Sequence, residues 1–140
     1  PQSARREGRL MQDRPTVDEL LEAVAGFLRD DVMPNTQGRT SFHARVSVNV
    51  IEMLRRELGS FEEHYSREWD GLDHLLGVEP MPPGLANVRE RLLARNRDLS
   101  ERIKNGDADT QPWRDAAFAH LRRVVHDKLT VSNPQLAAEG

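Results

Sequence analysis

The sequence contains no cysteine, which excludes a disulfide scaffold, thiolate metal sites and cysteine nucleophiles. Aromatic residues make up only 5%, and no stretch alternates cleanly between apolar and polar, so strands are not expected. No apolar run approaches the length of a membrane span. Pro1 to Asp13 lacks the apolar stretch of a signal peptide, and the chain reads as cytoplasmic, without a membrane partner. Charge of one sign is also missing. The formal net charge is −3, and acidic and basic residues are interspersed, so no global field favours nucleic acid. Arg55, Arg56, Arg89, Arg91, Arg95, Arg97, Arg102, Arg122 and Arg123 are broken up by Glu52, Glu57, Glu90, Asp98 and Glu101, the pattern of a solvated face.

Catalytic signatures are missing as well. Gly38-Arg39-Thr40-Ser41 lacks the spaced glycine and lysine of a phosphate loop. There is no dinucleotide fingerprint, nucleophile elbow or paired-histidine zinc helix. His64 and Glu68 stand one helical turn apart, but His120 and His126 are six residues apart and face different ways, so no metal site is expected. The chain holds no self-sufficient catalytic site and binds no cofactor by itself.

What is present is helical periodicity in 140 residues, enough for one domain. Residues 1–13 read as an N-terminal tail, or as a remnant ahead of a natural start at Met11. Residues 14–134 read as an all-α, single-domain bundle of about five helices, and residues 135–140 as a loose C-terminal tail. Thr16 and Glu19 form a capping box opening the first helix, whose apolar face is Val17, Leu20, Leu21, Val24, Phe27, Leu28 and Val32. Pro34 marks its end. A second helix runs from about Arg39 to Leu58. It has one stripe of Phe42, Val46, Val50, Met53 and Leu54 and another of Ala44, Val48 and Ile51, so a central helix with several neighbours is expected. Gly59 is read as its stop, and Ser60 with Glu63 as the capping box of a third helix ending at Gly77. A fourth helix follows the proline-rich connector and ends at Asn105-Gly106-Asp107. A fifth runs from about Pro112 to Thr130.

Two polar clusters stand out. At the start of the second helix, Arg39, His43, Arg45 and Asn49 gather where free backbone N–H groups and the helix dipole favour an anion. Arg39 adds a bidentate fork for phosphate or carboxylate. Arg39 and His43, four apart, are expected to face outward, with Arg45 and Asn49 more internal. The bland alternative is that these side chains serve only the bundle and its caps. The second cluster is Asp127-Lys128-Leu129 through Asn133-Pro134. Lys128 offsets a helix C-terminus or reaches a phosphate, and Asn133 turns the chain.

The blocks Arg14-Pro15-Thr16, Gly38-Arg39-x-x-Phe42-His43-x-Arg45-Val46-x-x-Asn49 and Asp127-Lys128-Leu129-x-Val131-x-Asn133-Pro134 resemble a family of small bacterial helical proteins known only as a domain of unknown function. The resemblance covers about Arg14 to Pro134. Members of that family are typically encoded beside an aminoglycoside-phosphotransferase-like kinase and an acyl-CoA dehydrogenase. One branch resembles the small subunit of the 4-hydroxyacyl-CoA kinase of levulinate degradation. The resemblance implies a non-catalytic accessory subunit of such a kinase, acting in short-chain hydroxy and keto acid catabolism. ATP and magnesium are then expected in the partner kinase, and the CoA part of the substrate within reach of Arg39, His43, Arg45, Asn49, Lys128 and Asn133. Relatives often continue with a basic residue and an aromatic after Asn-Pro, where this chain has Gln135 and Leu136. Two other readings compete: a stand-alone scaffold or homo-oligomer, and a small acyl-CoA-binding protein.

Overall fold

The computed structural model describes residues 13–140, and among them all regular structure is helical. The expectations for the N-terminal tail and for a start at Met11 lie outside the described residues. Helix α1 spans Val17–Phe27 and passes through a π-turn at Leu28–Val32 into α2, Met33–Asn35. Helix α3 spans Gly38–Leu76, α4 Leu85–Lys104, α5 Trp113–Ser132 and α6 Pro134–Glu139, with a 3-10 turn at Asp107–Asp109. No described helix is long and apolar enough to cross a membrane. The helices form two compact units, one running to Arg56 and the other from Glu57 to Gly140, with the boundary inside α3.

In the first unit the expected capping box forms. The Thr16 hydroxyl accepts from the Glu19 amide at 3.2 Å, and the Glu19 carboxylate accepts from the Thr16 amide at 2.7 Å. The helix does not stop before Pro34. The Met33 amide reaches back to the Leu28 carbonyl, the wide turn that lets a helix absorb a proline without its N–H. It ends instead at Thr36, whose extended backbone breaks the ladder while its hydroxyl donates to the Val32 carbonyl at 2.6 Å. Ala25, Ala44 and Val48 are the buried apolar residues of this unit. Arg55 joins α1 to α3, with Asp18 at 2.7 Å, Glu22, and Glu52 at 3.2 Å. The Arg55 guanidinium holds the Asp18 carboxyl below its ordinary range.

The expected break at Gly59 does not occur. Helix α3 is continuous for 39 residues, and Ser60 lies inside it. Gly59 is not among the glycines with positive φ, which are Gly38, Gly77, Gly84 and Gly106. A glycine stops a helix when its backbone turns left-handed; in helical conformation it only weakens the helix. Glu63 pairs with Arg67 at 3.0 Å, one turn further along the same helix. Gly77 and Gly106 do end their helices as expected. The tail read as loose forms α6, capped by Asn133, with Ala137 buried.

The second unit contains a larger core of Trp69, Leu72, Leu75, Val88, Leu92, Leu99 and Ala117. Gly71 is needed there for space, because a Cβ at that position would run into the buried ring of His120. Gly71→Ala is expected to destabilise the protein by about 1–3 kcal/mol. Gly59→Ala, where an added Cβ meets nothing, should stabilise α3 by about 1 kcal/mol. Thermal melts of the two variants check the pair; equal shifts would refute this account of the two glycines.

Candidate functional site

The N-terminal pole of α3 begins at Gly38, whose φ of 62° redirects the chain after the extended Thr36. Ser41 does not cap this end; its hydroxyl donates back to the Met33 carbonyl at 3.4 Å. Arg39 and His43 are exposed and meet each other, the Arg39 Nε donating to His43 Nε2 at 3.3 Å. The Phe42 ring stands edge-on to His43, centroids 5.6 Å apart. Arg45 and Asn49, expected to be more internal, are exposed too. A quarter of a helical turn separates them from the face that packs on α1, so they never enter the unit's interior.

A larger difference concerns the two apolar stripes of this segment. Ala44 and Val48 are buried, but Phe42, Val46, Val50, Met53 and Leu54 are all exposed, Phe42 by 61%. Residues 46 and 50 lie two positions from 44 and 48, about 200° round the helix, so the two rows occupy opposite faces. The first helix divides likewise. Ala25 faces inward, whereas Leu20, Val24 and Phe27 remain exposed. The central-helix expectation therefore fails within this unit: one face of α3 is covered and the opposite face is an apolar row open to solvent.

Lys128 and Asn133 belong to the second unit. Asn133 connects α5 to α6 and caps α6, its Oδ1 accepting from the Leu136 amide at 3.2 Å. Lys128 lines a hollow of about 270 Å³ together with Glu57, His64, Tyr65, Glu68 and Asp127. Asp127 is held in a two-point pair by Arg67, at 2.8 and 3.1 Å, and His64 approaches it at 4.0 Å. Burial pushes the Tyr65 phenol up from its ordinary value. The hollow can hold a small polar group between Lys128 and the carboxylates. Within it the Tyr65 hydroxyl donates to the Glu57 carboxylate at 3.5 Å. No group of three or more histidine and carboxylate residues gathers for a metal among the described residues.

Sequence reasoning missed a buried polar layer. Arg95, read as part of a solvated face, points inward, and Arg102, read the same way, stays partly exposed but bonds back to the unit. Arg95 is 2% exposed, donates to Asp73 and to the Gly77 carbonyl, both at 2.8 Å, and lies 4.8 Å from the Trp69 ring centroid. Arg102 donates to the Leu75 carbonyl at 2.6 Å and covers the Trp113 ring at 4.9 Å. Glu68 is buried and accepts from Asn96 at 2.7 Å. His120 is 1% exposed, and its Nε2 finds no hydrogen-bond partner among the described residues. The available signal was the placement of Arg95 midway between Leu92 and Leu99, inside the apolar stripe of α4.

Comparison with known families finds a match. The model described as "Domain of unknown function (DUF6285)" covers residues 34–136, and the chain belongs to that family. No curated protein and no solved structure matches.

Burial holds the His120 imidazole below its ordinary value of 6.5. Its contribution to stability is fully present above that unfolded value and is lost as the pH falls through the lowered folded value, because the unfolded chain takes up a proton that the folded one refuses. Chemical denaturation between about pH 7 and pH 5 should show stability decreasing with pH. His120→Leu should flatten this part of the profile; an unchanged slope would assign the acid sensitivity to other groups.

Proposed function

Taking the family membership as premise, we propose that this chain is a non-catalytic accessory subunit that binds an aminoglycoside-phosphotransferase-like kinase acting on hydroxyacyl-CoA. The observation that carries the binding part of this reading is the exposed row Phe42, Val46, Val50, Met53 and Leu54. A protein that leaves five large apolar side chains along one helix face in water has a surface suited to a partner. The kinase part rests on the resemblance of the Gly38–Asn49 and Asp127–Pro134 blocks to that subunit family. A kinase of that fold carries its own ATP and magnesium, so the accessory chain has to supply only packing surface and local positive charge. Arg39 and His43, exposed beside the first residue of the row, are suited to an anionic group of the partner or of CoA.

Co-expression with the kinase encoded nearest to this chain tests the proposal. The expected result is a complex that survives purification and phosphorylates a hydroxyacyl-CoA only when both chains are present. Val46→Glu with Val50→Glu should abolish co-purification, and Arg39→Ala should lower activity by about tenfold while the complex and its melting temperature persist. Full activity of the kinase without this chain would sink the reading.

A specific observation favours a second reading, a homodimer formed through the same row. Phe42, Val46, Val50 and Leu54 repeat at four-residue spacing, the ridge that packs against its own copy when two helices cross about a two-fold axis. Sedimentation of the isolated chain separates the two. A dimer lost in Val46→Glu favours self-pairing, and a monomer leaves the row for another protein.

A further inference from the structure

The second unit carries a groove of about 780 Å³ formed by α5 and α6. Phe118, Leu121, Val125 and Leu129 follow one face of α5, and Leu136 and Ala137 of α6 line it with them. Asn133 creates this wall. By capping α6 it folds the last residues back as a helix, and its neighbour Pro134 is pre-set for the first helical turn. Phe118, Val125 and Leu136 are each about half exposed, an unusual state for side chains that line one depression.

The chemistry of the rim indicates what fits. Arg122, Arg123 and His126 border the groove, and neither Arg122 nor Arg123 makes an ion pair or hydrogen bond among the described residues. The third arginine, Arg67, is already neutralised by Asp127 and Glu63. The groove therefore offers an apolar floor with uncompensated positive charge along its edge. It is also broad and open to solvent. A small ligand is ordinarily held in an enclosed pocket that covers most of its surface, whereas an open apolar groove between helices accepts the apolar face of another helix.

We propose that the α5–α6 groove is a docking site for an acidic amphipathic helix of a partner protein. The partner helix places apolar residues at spacings of three and four against Phe118, Val125 and Leu136, and carboxylates beside Arg122 and Arg123. This rests on the reading of the chain as a binding subunit and adds a second face with a defined charge preference, in the unit that does not carry the Phe42–Leu54 row.

The test uses the full chain and two labelled synthetic peptides of about five helical turns, with leucine at spacings of three and four. One peptide carries glutamate at the remaining positions and the other lysine. Fluorescence anisotropy should show the glutamate peptide binding at least about tenfold more tightly. Arg122→Glu with Arg123→Glu should reverse that preference, and Val125→Asp should weaken the glutamate peptide by about tenfold or more with an unchanged circular dichroism spectrum. All three substitutions are at exposed positions, so the fold is expected to survive. Absence of binding, equal binding of both peptides, or binding indifferent to these variants would overturn the proposal. So would arginine-dependent binding to vesicles of phosphatidylglycerol and phosphatidylcholine without peptide preference, which assigns the groove to a membrane surface. The assay contains no kinase, so its failure removes the groove proposal alone, and failure of co-purification removes the kinase reading alone.

Discussion

A guanidinium keeps its charge at every physiological pH, so an arginine placed in a protein interior dictates what must surround it. Arg95 is the constraint on which the second unit depends. It comes from the middle of α4, between Leu92 and Leu99, and its donors are taken by Asp73 and by the Gly77 carbonyl. Both acceptors lie at the C-terminal end of α3, where the last carbonyls of a helix lack intrahelical donors. The left-handed turn at Gly77 exposes its carbonyl to Arg95, and the Trp69 ring closes the remaining side. The same arrangement fixes the connector. The Asp73 carboxylate also accepts from the Glu79 amide at 3.2 Å, the Trp69 indole donates to the Glu79 carbonyl at 2.8 Å, and Arg91 grips the Glu79 carboxylate. The hydrogen bonds from Arg91, with its charge, keep that carboxyl below its ordinary range. A second clamp repeats the logic further along, where Arg102 and the Trp113 indole both donate to the Leu75 carbonyl.

The local marks of helix termini were legible in the sequence, and the identity of covered faces was not. Thr16 with Glu19, Gly77 and Gly106 are decided by chemistry within a few residues, since a hydroxyl three positions from an amide or a left-handed glycine acts wherever the chain goes next. Gly59 looked like the same signal, but a glycine marks an end only where the backbone reverses, and that depends on surroundings the local sequence does not contain. Periodicity likewise reveals that Phe42, Val46 and Val50 share a face. It cannot reveal whether anything lies against that face. The arginines failed for a related reason. Composition classes Arg95 with Arg97, although one is buried and the other exposed, and only its position inside an apolar stripe distinguishes it.

The two units solve the problem of burial differently, and the contrast bears on binding. The second builds a core from Trp69, Leu72 and Leu99 and adds the arginine clamps. The first is a helical hairpin whose buried apolar side chains are Ala25, Ala44 and Val48, small residues that allow close helix approach but remove little apolar area from water. Its ion pairs, centred on Arg55, are exposed on the carboxylate side, and such pairs are screened and contribute little singly. A unit this short, ending at Arg56, sits near the lower limit at which a core alone sustains a fold. Meanwhile Leu20, Val24 and Phe27 on α1, and the row on α3, hold apolar area in reserve. Covering that area would stabilise the hairpin by mass action, because a partner that binds only the folded hairpin shifts the equilibrium toward it. The exposed Arg39–His43 pair is carried by the same hairpin, beside the first residue of the row.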